Sequence, residues 1–172
     1  MKKVNELIKL PEVKTIFNLF NNNQGIYLVG GCIRDALSGK DVTDIDFAVD
    51  IDPEEVVKIL TNNNIKFYDI GINYGTVTAV IDSKNYEITS LREDIETDGR
   101  HAKVKYTSDL KADSLRRDFT INAIYVNRDG EIFDFHNGIE DIESRKLKFI
   151  GNANDRVKED YLRTVSYTHI RA

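Results

Sequence analysis

At 172 residues the chain is long enough to bury a core and has the length of one domain, with or without a small appendage. With 41% apolar and 31% charged residues it is not a disordered chain, and it has no apolar run near the roughly 20 residues of a membrane-spanning helix. The formal net charge of −5 argues against a surface that coats nucleic acid throughout, but says nothing against a local basic groove.

One cysteine, Cys32, and three histidines exclude an internal disulfide and a thiolate-rich zinc site, so a bound metal would be held mainly by oxygen. The opening "MKKVNELIKLPEVK" lacks the apolar core of a signal peptide, which makes the cytoplasm the expected location.

In chain order, "LPEVKTIFNLF" spaces Val13, Ile16, Phe17 and Phe20 as one helix face, with Pro11 in its first turn and Asn21 to Asn23 ending it. "GIYLVGG" predicts a buried strand, "CIRDALSG" a two-turn helix ending at Gly39, and "DIDFAVD" a second strand. Asp52 and Pro53 open a helix that turns Val56, Val57, Ile59 and Leu60 inward until Asn62 to Asn64. "TVTAVI" and "NYEITSL" are predicted to pair across "DSKN".

Arg92 to Tyr106 is polar and without period, and is predicted as a mobile loop. Ser108 is predicted to open a helix through "DLKADSLRRDFTINA". "AIYVN" and "EIFDF" form a hairpin across "RDG", "KLKFI" a last short strand, and Asn154 begins a further helix. The sum is an α/β domain on a mixed sheet with the first turns of a helical segment after it. Basic residues gather between Arg100 and Arg117, and acidic ones between Asp41 and Glu55; each run alone reads as a solvated face.

Alternation on a strand puts Asp44 and Asp46 on one face and Ile45 and Phe47 on the other. Paired carboxylates suit Mg²⁺, which takes one or two of them together with waters and phosphate oxygens. Such pairs also serve calcium and sugar-nucleotide sites. Gly30 and Gly31, between strand and helix, leave room for a triphosphate against backbone N–H groups, or simply make a tight turn.

Arg34 reaches phosphate oxygens or pairs with Asp35 or Asp41. Glu87 is either a third carboxylate or a solvent-facing strand residue. Arg116, Arg117 and Asp118, placed at a helix start, either neutralise a transferring phosphoryl group or form a salt-bridged cap. His101, His136 and His169 read as solvated or capping residues.

"LVGGCIRDALSG" followed by "DIDFAVD", "EITSLREDIETDGRHAKV", "LRRDFTINA" and "KEDYLR" resembles the class II CCA-adding tRNA nucleotidyltransferases and the related bacterial poly(A) polymerases. The ordered match runs from about Tyr27 to Arg163. The resemblance implies a polymerase β-like head with a mixed, mostly antiparallel sheet flanked by helices over residues 1–150, and the start of a helical neck over 151–172.

It implies further that Asp44 and Asp46 hold two Mg²⁺ ions with Glu87 as the third acidic residue. Gly31, Arg34 and Arg117 would contact the triphosphate, and Asp160 and Arg163 would pair with the base edge of CTP or ATP. The implied partners are those nucleotides and the tRNA 3′ end, with no membrane.

After "EDYLR" the family continues with arginines and an aromatic, whereas this chain reads "LRTVSYTHIRA", with Ser166 and His169 where arginines are expected. A truncated neck with a foreign or frameshifted end is the expectation, and with it poor tRNA binding by this chain alone. CCA addition is the leading reading. Poly(A) synthesis, an inactive nucleotide- or metal-binding fragment, and an unrelated acidic-loop module are the alternatives.

Overall fold

The computed structural model describes residues 1–21, 23–98 and 101–152. The helix expected from Asn154, with Asp160, Arg163, Ser166 and His169, lies outside them.

Two helices open the chain, α1 (Lys2–Leu7) and α2 (Pro11–Leu19). Then come β1 (Ile26–Val29), α3 (Gly31–Leu37), β2 (Asp46–Val49), α4 (Pro53–Asn62), β3 (Lys66–Tyr68), β4 (Thr76–Ile81) and β5 (Lys84–Ser90). A ribbon of β6 (Arg92–Asp98) and β7 (His101–Tyr106) leads to α5 (Leu110–Leu115), β8 (Ile124–Asn127), β9 (Ile132–Asp134) and α6 (Gly138–Glu143).

Seven strands form one sheet in the order β3-β4-β5-β2-β1-β8-β9. All neighbours are antiparallel except β2 and β5, which run parallel, so the sheet is mixed and mostly antiparallel. A parallel pair needs a crossover, supplied here by α4, β3 and β4.

Strand alternation sorts the side chains onto two faces. Leu28, Phe47, Val49, Ile88 and Val126 point to one, where they pack with Ile16, Phe17, Ile33, Val56 and Leu60 from α2, α3 and α4. Phe17 meets Phe47 edge-on at 5.6 Å between ring centres. The other face carries a smaller cluster of Val29, Ala48, Leu91, Leu110 and Tyr125, with Tyr27 and Phe133 against it.

The structure corrects several expectations. Arg92 to Tyr106 is a two-stranded antiparallel ribbon rather than a loop, with a register shift between Asp94 and Glu96. It is tied at its base by backbone bonds from Leu91 N to Val49 O (2.7 Å) and from Thr107 N to Leu91 O (2.9 Å). A ribbon outside the main sheet needs no apolar alternation, so the pattern gave no sign of it.

The helix expected from Ser108 starts beyond Asp109, whose side chain caps Lys111 N at 2.8 Å, and stops at Leu115. The "TIN" turn that follows is a separate 3-10 segment. "KLKFI" contributes one isolated bridge, Phe119 to Phe149, rather than a strand. The turn between β4 and β5 narrows to Asp82 and Ser83, both at positive φ. Helices α1 and α6 and strand β3, absent from the sequence reading, are too short for their periodicity to stand out.

Candidate active site

β1 leaves the sheet through Gly30, whose φ of 81° and ψ of −139° suit glycine alone. A Cβ at Gly30 would lie 3.8 Å from Asp46 Oδ2, so the glycine pair sits against the acidic edge. At Gly31 the corresponding contact is Arg34 Nη2 at 3.4 Å, which shows the arginine folded back over the start of α3.

Arg34 donates from Nε and Nη2 to the two carboxylate oxygens of Asp35 (2.9 and 3.0 Å) and from Nη1 to Asn122 Oδ1 (3.0 Å). Asn122 is itself held by Asp118 Oδ1 at 3.3 Å. Asp41, the other candidate partner, pairs instead with Lys3 at 2.9 Å. A guanidinium has five N–H donors, so these bonds orient Arg34 while leaving donors on both terminal nitrogens.

Asp44 precedes β2 and is exposed, whereas Asp46 is the first residue of the strand and half-buried. Parallel pairing brings Glu87 into register beside Asp46, and antiparallel pairing puts Val29 on its other side. Burial, and then the charges of Glu87 and Asp44, push the Asp46 carboxyl up to about 6, with Arg117 opposing them. The fold therefore gathers Asp44, Asp46, Glu87 and Arg117 into one electrostatic neighbourhood from three separate segments.

Arg117 follows α5 at its C-terminal end, not at a helix start as expected. It shares its Nε–H between Asp113 Oδ2 (3.1 Å) and the Tyr125 hydroxyl (2.8 Å), and its Nη2 also reaches Asp113 Oδ2 (3.1 Å). Arg116 binds the other oxygen of the same carboxylate, from Nε and Nη2 at 2.8 Å. Asp113 also accepts from the Tyr125 hydroxyl and from Arg92 N.

Burial alone would raise this carboxyl, but Arg117 and Arg116, with the bonds from Tyr125 and Arg92, hold it below the usual carboxylate range. Asp113, Asn122 and Tyr125 went unnoticed in the sequence. The one available signal was the spacing of Asp113 three and four residues before the two arginines, which puts all three on one helix face.

Cys32 is buried, donates to Val29 O at 3.2 Å, and has its thiol pushed up to about 11 by burial, as fits a packing residue. His136 Nε2 sits 2.9 Å from Ser114 Oγ.

Among the described residues no group of three or more His, Cys, Asp or Glu side chains is placed to hold a metal ion. The donors present are carboxylates, and burial first, then the charges of Glu87 and Asp44, raise the affinity of Asp46 for a proton. An oxygen-only, crowded and incomplete set of this kind fits a hard divalent cation that completes its shell with water and phosphate. Among the described residues no helix is long and apolar enough to cross a membrane.

Residues 26–148 match the family described as the poly A polymerase head domain. The CCA tRNA nucleotidyltransferase 1, mitochondrial, of Danio rerio is 42% identical over 170 residues, covering 93% of this chain and 39% of the relative. The CCA-adding enzyme of Lactobacillus delbrueckii subsp. bulgaricus is 42% identical over 139 residues, covering 80% of this chain and 34% of the relative.

Among solved structures, the Bacillus stearothermophilus CCA-adding enzyme in complex with CTP superposes with a TM-score of 0.77 at 34% identity, covering 90% of this chain and 37% of that one. The chain thus spans less than two fifths of the length of these relatives. With the matched region taking in the whole sheet and the acidic edge, the chain belongs to the poly A polymerase head domain family.

Proposed function

We propose that this chain is the nucleotidyltransferase head of a protein that adds CMP and AMP, from CTP and ATP, to the 3′ end of tRNA with release of pyrophosphate. The carrying observation is the register of Asp46 with Glu87 at the start of β2, beside the turn that holds Gly30, Gly31 and Arg34, with Arg117 acting on Asp46. The names of the relatives support the substrate, and the CTP complex of one of them supports the nucleotide.

In this reading Asp44 and Asp46 hold two Mg²⁺ ions and Glu87 is the third acidic residue. When bound, such ions activate a hydroxyl for attack and take up charge on the leaving oxygen. Arg34 and Arg117 orient the triphosphate and spread its charge, and Gly31 lets the phosphates approach the backbone. Residues 1–150 form the head. Residues 151–172 begin the neck, in which Asp160 and Arg163 pair with the base.

The test uses the intact protein with tRNA lacking its 3′ end and with CTP and ATP supplied separately. Incorporation of CMP, abolished by Asp44→Ala or Asp46→Ala in a folded protein, is the expected result. Incorporation at the wild-type rate in either variant refutes the site. Poly(A) synthesis is the second reading, favoured by the family description; a long product from ATP alone, without CMP incorporation, would establish it. The Danio rerio relative is named mitochondrial, so cell fractionation decides between that compartment and the expected cytoplasm.

A further inference from the structure

We propose that the hydroxyl of Tyr125 is a positioning group for Arg117, setting the orientation in which the guanidinium faces the carboxylates of β2. The inference rests on the reading above that Arg117 contacts the triphosphate.

Tyr125 is fully buried on β8 opposite Val29, and Val29 lies opposite Asp46, so the three share one row across the sheet. The hydroxyl donates to Asp113 Oδ2 at 2.7 Å and accepts from Arg117 Nε at 2.8 Å. The ring lies under the same guanidinium, whose carbon is 5.1 Å from the ring centre. Face and edge of the arginine are thus both held by one residue.

Asp113 alone does not provide this. Its other oxygen is taken by Arg116, and both of its contacts with Arg117 converge on a single oxygen, about which the guanidinium can swing. The tyrosine hydroxyl adds the second fixed point. The Arg117 side chain remains 16% exposed, so the group held in this way still opens toward solvent. Phenylalanine at this position keeps the ring and its packing and loses the hydroxyl's two bonds, the one from Arg117 and the one to Asp113, the second of which the melting temperature reports.

The phosphates are common to CTP and ATP, so the effect must be independent of the base. Tyr125→Phe, Arg117→Ala and the double variant are compared with the wild type in the intact protein, by CMP and AMP incorporation together with melting temperature. Tyr125→Phe is expected to raise KM for CTP and ATP alike by about fivefold with kcat within about twofold, and to add little in the Arg117→Ala background. Inhibition by inorganic pyrophosphate, which has no base, should weaken by a similar factor.

An unchanged KM and pyrophosphate inhibition in Tyr125→Phe overturns the inference, as does the same fivefold rise with Arg117 already removed, because either result leaves the hydroxyl a purely structural group. If Arg117→Ala itself leaves KM unchanged, the triphosphate role of Arg117 fails and the inference falls with it.

Discussion

The two faces of the sheet are built from the same strands and put to opposite uses. On the helix-covered face, Phe47, Leu28 and Val126 are sealed from solvent. On the other face the neighbouring positions Asp46, Val29 and Tyr125 carry charge, a small apolar patch and a hydroxyl. Asp46 and Phe47 are adjacent in sequence, yet one is held in a cluster of like charge and the other in dry packing. A strand four residues long can therefore anchor a strained electrostatic group, because each polar residue is braced by an apolar neighbour pointing the other way.

If that division holds, substitutions on one face should spare the property of the other. The largest effect is expected from Asp46→Ala, which should lower nucleotide incorporation by roughly three orders of magnitude, the scale of removing a principal electrostatic group. Its melting temperature should not fall, as calorimetry would show. A fall would mean that the acidic edge also supports the core.

Phe47→Ala should do the reverse, costing about 3–5 kcal/mol in denaturant unfolding while the folded fraction still binds nucleotide.

Asp113 joins the two properties. Asp113→Asn should cost about 3 kcal/mol, because it leaves two arginines at the site edge without their shared counter-charge. The folded pKa of Asp113 lies below its unfolded value, so its contribution is complete above about pH 5 and is lost as pH falls through the folded value. Stability curves of wild type and variant should accordingly run parallel near neutrality and converge in acid. Curves that stay parallel throughout would show that the carboxyl is not held ionised.

The smallest change is expected at the β4–β5 turn, which belongs to neither face. Ser83→Gly should raise stability by about 0.5 kcal/mol, relief of the left-handed backbone being partly offset by the chain entropy of glycine. Incorporation should not change.

The order of these elements along the chain was legible where one residue type settles a local question. Gly30 and Gly31 marked the end of β1, Pro53 the start of α4, and the alternation in "TVTAVI" and "NYEITSL" the β4–β5 pair. Asp44, Asp46 and Glu87 were legible as candidates, and the strand register then brought Glu87 to Asp46.

What could not be read depended on contacts between distant segments. Asp113 in "KADSLRR" looks like a solvated helix residue until the arginines, Tyr125 and Arg92 N close around it. Asn122, expected within the helix through "TINA", shows no partner in the sequence until Arg34 reaches it from α3. The ribbon of β6 and β7 was missed because its polar sequence is compatible with either a loop or a pair of strands, and backbone pairing decides between them.

The one parallel pairing in the sheet, β2 with β5, also bears on how the chain folds. Hairpins such as β4–β5 and β8–β9 close short loops and can form early. Asp46 and Glu87 meet only after α4, β3 and β4 have been laid down between them, a long closure that costs more chain entropy and is made slowly. By loop-closure entropy alone, the meeting of the acidic residues is expected after the local hairpins, on a strand whose Phe47 packs into the core.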